Sequence, residues 1–237
     1  MKSAHETRDA QGGGASTMIA IDDAHSVSSL LLVPDEAAAC YVIAHGAGAG
    51  MTHPFMEAVA NGLFDRRIAS LRYQFPYMEQ GSKRPDRPAL AHVTVRAAVD
   101  AARRLVPALP LFAGGKSFGG RMTSQAQAAA PLTGVRGLIF LGFPLHAAGK
   151  PSVERASHLA QIQIPMLFLQ GSRDALADLS LLAPMVAGLG NAATLLSIDD
   201  ADHSFHVPAR SGRNDAEILA MVLDAMTDWV LEHLDKR

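Results

Sequence analysis

The run Leu111-Phe112-Ala113-Gly114-Gly115-Lys116-Ser117-Phe118-Gly119-Gly120-Arg121 constrains this chain more than any other. An apolar, strand-like segment meets a serine flanked by glycines, and a helix-like segment follows. In that context G-x-S-x-G reads as a tight strand-to-helix turn that lifts the serine hydroxyl out of a sheet edge. The flanking positions need small residues, because a Cβ there would strike the strand or the helix. Ser117 is therefore the candidate nucleophile. A phosphate-binding loop, G-x-x-x-x-G-K-[ST], competes for Gly115-Lys116-Ser117. That motif needs a glycine where this chain has Pro110, and proline has no N–H to offer a phosphate. Leu111-Phe112-Ala113 also look like strand right up to Gly114, where the motif needs loop.

Apolar and amphipathic segments alternate along the rest of the chain. Ile19 to Val33 reads as one or two strands with a turn near Asp22-Asp23. Tyr41 to Ala44 is a continuous apolar run, as in a strand buried on both faces. Met56 to Asp65 has helical spacing, Ile68 to Tyr73 is strand-like, and the Pro-rich stretch Phe75 to Pro88 reads as a loop. Leu90 to Leu105 is helical, stopped by Pro107 and Pro110. After the Ser117 unit, the helix runs to about Ala130. Val135 to Leu141, Met166 to Leu169 and Ala193 to Ile198 are strands. Leu179 to Leu189 reads as a helix interrupted near Pro184. Ala216 to Leu234 is the clearest amphipathic helix. Strands alternating with helices predict an α/β class chain with a mostly parallel, doubly wound sheet. No repeat or linker is visible, so one domain is expected over 18–237.

Ligands of such sheets bind beyond the carboxyl ends of the strands. Four loops there carry distinctive residues. His45-Gly46-Ala47-Gly48-Ala49-Gly50 follows the Tyr41–Ala44 strand, and its glycines let backbone N–H groups turn towards a developing negative charge. The dinucleotide pattern fails, since it would need a glycine at Met51. With Ser117 as nucleophile, the expected oxyanion donors are the N–H groups of Ala47, preferred over Gly48, and Phe118. Asp174 is the first carboxylate beyond the Met166–Leu169 strand and would orient a histidine, with Asp178 as its alternative. His203, in the loop after the last strand, is the candidate base, with His206 as the alternative. The order Ser117, Asp174, His203 places nucleophile, acid and base on separate loops in the order seen in α/β hydrolases.

Bulk properties exclude several other classes. The 237 residues are 49% hydrophobic and 19% charged, enough for a sizeable core. A formal net charge of -2 gives no reason to expect nucleic acid or an anionic membrane as partner. Cys40 is the only cysteine, so no intrachain disulfide can form, and its apolar run suggests a buried, inert thiol. No stretch approaches the roughly 20 apolar residues of a membrane span. Met1 to Thr17 is polar and Gly-rich, with no signal-peptide core. It is expected to be a mobile tail, and the protein cytoplasmic. His45, His53, His203 and His206 show no diagnostic ligand spacing, so neither a metal nor a cofactor is expected.

These segments resemble a compact branch of the α/β-hydrolase superfamily. The chain is similar to dienelactone-hydrolase-like proteins, and more closely to hydrolase-like proteins related to a subunit of an animal histone-acetyltransferase complex. The resemblance rests on Ala44-His45-Gly46-Ala47-Gly48, Met51, His53-Pro54-Phe55-Met56, Phe75-Pro76-Tyr77-Met78 and Pro85-Asp86-Arg87. Further along it rests on Gly114 to Arg121, Gly142 to His146, Gly149-Lys150-Pro151, Gln170-Gly171 with Asp174, and Asp202-His203. It runs from about Cys40 to the C-terminus and implies a serine hydrolase acting on small esters or thioesters. Many such enzymes carry a lid after the strand that follows the elbow. Here Phe143 to Pro165 leaves room for one short excursion and one helix, so the lid is expected to be small or absent. His146, Lys150 and His158 lie in that excursion; His146 is the candidate substrate contact, with solvated surface residues as the other reading. The competing functional class is a non-catalytic binding or scaffold protein on a hydrolase fold.

Overall fold

The computed structural model describes residues 14–234. Its elements, in chain order, are β1 (Ala15–Ala20), β2 (Ser26–Leu32), β3 (Ala39–Ala44), α1 (Pro54–Phe64), β4 (Ile68–Tyr73) and α2 (Pro76–Glu79). Then come α3 (Pro88–Leu105), β5 (Leu111–Lys116), α4 (Phe118–Ala129), β6 (Val135–Leu141), β7 (Met166–Gly171), α5 (Leu179–Gly188), β8 (Ala193–Ile198) and α6 (Asp215–Glu232). A 3₁₀ helix, Glu154–Gln161, lies between β6 and β7.

The strands form one eight-stranded sheet in the order β1-β2-β4-β3-β5-β6-β7-β8. β1, β2 and β4 pair antiparallel, and every pairing from β4 through β3 to β8 is parallel. The sheet is covered on both faces, as the apolar runs require. Along β3, Cys40, Val42 and Ala44 point into the core shared with α3 and α4. The alternate residues, Ala39, Tyr41 and Ile43, point into the core under α1 and α6. β5 lies between β3 and β6, so the Ser117 turn emerges from the middle of the sheet.

Beyond shifts of one or two residues at element ends, the structure departs from the sequence reading in several places. β1 begins at Ala15, inside the stretch expected to be tail, while residues 1–13 lie outside the described residues. It is a mostly exposed edge strand, so no apolar alternation announces it. Phe75 to Pro88 is not all loop, because α2 starts on Pro76, a residue preorganised for the first helical position. Met166 to Leu169 extends by two further paired residues, Gln170 and Gly171. α5 runs without interruption through Pro184, forfeiting one backbone hydrogen bond there. Among the described residues, no helix is long and apolar enough to cross a membrane.

Candidate active site

Ser117 joins β5 to α4 with φ 50° and ψ -115°, a conformation that a residue with a side chain rarely adopts. Its neighbours make the turn possible. A Cβ on Gly115 would stand 2.2 Å from the Ala44 carbonyl oxygen, and one on Gly119 would stand 2.5 Å from that of His45. Both motif glycines are thus required by the close approach of the elbow to the end of β3. The Ser117 N–H donates to the Leu141 carbonyl (3.1 Å), and its own carbonyl accepts from Arg121 (3.1 Å), which fixes the hydroxyl's direction.

His203 reaches this hydroxyl from the loop after β8, with Nε2 2.8 Å from Ser117 Oγ. Its Nδ1 lies 2.6 Å from Oδ2 of Asp174, in the turn after β7. An ionised carboxylate can only accept, so Nδ1 carries the ring proton and the Nε2 lone pair faces the serine O–H. The Asp174 side chain is fully buried, whereas a quarter of the His203 side chain is exposed. Buried charge needs partners. Asp174 has them in the Leu176 N–H (2.7 Å) and the Gln170 amide, besides His203.

The His203 loop is itself pinned. Oδ1 of Asp202 accepts from the N–H groups of Ser204 (2.7 Å) and His206 (3.0 Å). Phe205 holds a left-handed φ of 64°. Lys116, half-buried beside Ser117, donates from Nζ to the His203 carbonyl. Its ammonium lies 5.8 Å and 5.2 Å from the ring centres of Phe55 and Phe205. Burial pulls its pKa down to about 8, against the opposing pull of Asp174 and Asp202.

The two alternatives lie elsewhere. Asp178 caps α5, its carboxylate accepting from the Ser180 N–H (2.8 Å) and hydroxyl (2.7 Å). Those bonds hold its carboxyl below the usual range. His206 pairs with Asp215 at 2.8 Å on the surface, which raises its pKa.

The expected oxyanion donors flank Ser117. Phe118 is the first residue of α4, so its N–H has no intrahelical acceptor. On the loop after β3, the Tyr77 hydroxyl donates to the Gly46 carbonyl (3.4 Å) and is bonded by the Gly48 backbone. Ala47 lines the space around Ser117, and no hydrogen bond from its N–H occurs among the described residues. His45 supports this loop rather than the chemistry. Its Nδ1 donates to the Gly46 carbonyl (2.9 Å) and its Nε2 accepts from the Phe75 N–H (3.0 Å).

His146 departs from its expected role as a substrate contact. It is buried, with Nδ1 donating to the Ala147 carbonyl (2.9 Å) and Nε2 accepting from the Asp178 N–H (2.9 Å). Both nitrogens are spent on backbone, so the ring fastens the β6–β7 segment to the start of α5. His158 is half-buried and bonded to the Ser124 hydroxyl (2.7 Å), while Lys150 is exposed as expected. The β6–β7 segment packs its 3₁₀ helix on α4 and forms no lid.

Two cavities therefore open beside Ser117, sharing Ala47 and Ser117 in their walls. The first, about 200 Å³, is lined by His53, Phe55, Lys116 and His203. The second, about 390 Å³, is lined by Asp86, Phe118, Arg121, Pro144, Arg155 and Leu176. Sequence reasoning missed Lys116, Tyr77, Gln170 and both arginines as parts of this site. Only Lys116 carried a signal, its position between the motif glycine and serine. Cys40 is no rival nucleophile: it is buried in β3, and burial pushes its thiol up to about 12. Among the described residues, no group of three or more His, Cys, Asp or Glu side chains is placed to hold a metal ion.

A family described as alpha/beta hydrolase domain matches residues 37–231. The fold is also shared with solved structures. A dienelactone hydrolase from Anabaena variabilis is 20% identical, covering 92% of this chain and 96% of that one, with a TM-score of 0.72. An a/b serine hydrolase without lid from Xanthomonas campestris is 20% identical over 91% of this chain and 94% of that one, at 0.70. Est1E from Butyrivibrio proteoclasticus, with ferulic acid bound, is 17% identical over 93% of this chain and the whole of that one (100%), at 0.71. At such identities the likeness is one of fold.

Proposed function

This chain belongs to the alpha/beta hydrolase domain family, and on that premise we propose that it is a carboxylesterase-like serine hydrolase of small esters or thioesters. The observation that carries the reading is the unbroken hydrogen-bond chain Ser117–His203–Asp174, with lengths of 2.8 Å and 2.6 Å. Fold neighbours named as esterases, among them the esterase domain of a Rhodothermus marinus protein, support an ester as substrate. On the sequence runs given above, the proposed relatives include the hydrolase-like proteins related to a histone-acetyltransferase-complex subunit. The cytoplasm is the proposed location.

In this reading His203 Nε2 takes the Ser117 proton as Oγ attacks the ester carbonyl carbon. The carbonyl π electrons move onto oxygen, and the N–H groups of Phe118 and Ala47 stabilise the resulting oxyanion. Asp174 keeps the proton on Nδ1 and stabilises the imidazolium. Collapse of the intermediate breaks the bond to the leaving oxygen or sulfur, which takes the proton back from Nε2. Water then attacks the acyl-serine, with His203 again as base, and releases the acid and free Ser117. The missing lid leaves the site open, which suits short acyl groups better than long lipid chains.

The test is turnover of 4-nitrophenyl acetate. Ser117→Ala is expected to lower it by roughly 10⁴ to 10⁶. Turnover unchanged in that variant would mean that Ser117 is not the nucleophile and would favour the scaffold reading.

A further inference from the structure

The second cavity holds two cations, neither of them paired with an anion among the described residues. Arg121, in the first turn of α4, has its Nε buried with no hydrogen-bond partner. Arg155, from the 3₁₀ helix, lines the same cavity. Neither takes part in an ion pair among the described residues. The neighbours of Arg121 worsen its position, since the charges acting around it are basic. Burial first, and Arg155 after it, hold its guanidinium below the ordinary range, and Arg121 adds to the burial that depresses the nearby His158. One acid, Asp86, shares the cavity wall. Its Oδ2 already accepts the Tyr77 N–H at 3.2 Å, and the basic group acting on it is His25 rather than either arginine. Two half-buried guanidiniums side by side, unpaired, are costly unless something acidic comes to them.

The position of His203 says which part of a substrate would bring that acid. His203 lines the first cavity and not the second. The base must reach the leaving group to return its proton. The leaving group therefore lies in the first cavity, and the acyl chain extends past Phe118 into the second. We propose that the preferred substrates are esters whose acyl chain ends in a carboxylate, read by Arg121 and Arg155. A guanidinium matches a carboxylate in shape as well as charge, through paired N–H donors. The apolar part of the chain would lie on Phe118, Pro144 and Leu176. This inference rests on the serine-hydrolase reading and adds a substrate class to it.

The test compares mono-4-nitrophenyl adipate with its neutral isostere, in which the free carboxylate is a carboxamide. The readout is the ratio of the two kcat/KM values, corrected for spontaneous hydrolysis. Loss of charge-assisted hydrogen bonds predicts that the wild type favours the acid by about 10- to 100-fold. Arg121→Gln should cut that ratio about tenfold, Arg121→Lys should restore part of it, and Arg155→Gln should cut it less. Arg155 is on a surface helix, so Arg155→Gln carries the test if Arg121→Gln does not fold. A fluorophosphonate that labels Ser117 separates the two levels of failure. Labelling with no preference for the acid, or with a preference untouched by either arginine variant, overturns this inference alone. No labelling and no ester turnover overturns the hydrolase reading and this inference with it.

Discussion

The loop after β3 and the loop after β8 each bring a histidine to the carboxyl edge of the sheet, yet the two rings are set for different work. His45 gives one nitrogen to the Gly46 carbonyl and takes the Phe75 N–H on the other. It is fully buried, packs edge-on to Phe75 with ring centres 5.0 Å apart, and burial holds its pKa at about 4. His203 is partly exposed and stands between a carboxylate and a hydroxyl. Backbone partners cannot exchange protons, so His45 is a brace. Side-chain partners of opposite character let a ring receive a proton on one side and be stabilised on the other. His146 repeats the first pattern, with both nitrogens on backbone. His206 has an acid, Asp215, but no hydroxyl. Partner chemistry, more than residue type or loop position, separates the four.

The contrast is broken most severely by substituting its reactive side. His203→Ala should lower kcat/KM for a small activated ester by roughly 10⁴ to 10⁶, while the unfolding midpoint moves little. Asp174→Asn should leave the fold intact and lower kcat by about 10⁴, because an amide no longer holds the proton on Nδ1. His45→Ala should reverse the pattern. It leaves the Phe75 N–H unpaired in a new cavity, which should cost about 2–4 kcal/mol in a denaturant titration. Activity per folded molecule should fall far less than in His203→Ala. A His45 variant as inactive as His203→Ala, yet stable, would erase the distinction.

Two pH experiments sharpen it further. The folded pKa of His45 is depressed from 6.5 to about 4. Between those values the unfolded chain binds a proton that the folded chain refuses, so stability falls as the pH is lowered. His45 should account for up to about 3 kcal/mol of that loss by pH 4, and His45→Ala should remove its share. Lys116 behaves in the opposite range, its pKa lowered from 10.5 to about 8. There the unfolded chain keeps a proton that the folded chain releases, so stability rises with pH from 8 to 10.5. Lys116→Met should flatten that rise, by about 1–3 kcal/mol.

Much of this was legible in the sequence, and the particular elements explain why. The strands buried on both faces, β3 and β5 to β7, are short apolar runs bounded by turn residues, and their alternation with helices indicates parallel pairing. Ser117, Asp174 and His203 each sit just past a strand, so parallel topology alone brings them to one edge. The start of β1 was hidden because an exposed edge strand has no apolar alternation. α2 was hidden because four residues are too few to display a helical period. The role of His146 depends on the Asp178 N–H, a contact between segments 32 residues apart. The Arg121–Arg155 pair likewise exists only once the 3₁₀ helix lies on α4. Contacts of that kind leave no local pattern.

The central claim, that Ser117 is a nucleophile activated by His203, is tested most directly by intact-protein mass spectrometry after exposure to a fluorophosphonate. The folded wild type should gain one adduct, mapped to Ser117, with labelling abolished in Ser117→Ala and greatly slowed in His203→Ala. A folded wild type that stays unlabelled, or an adduct that persists in Ser117→Ala, would contradict it.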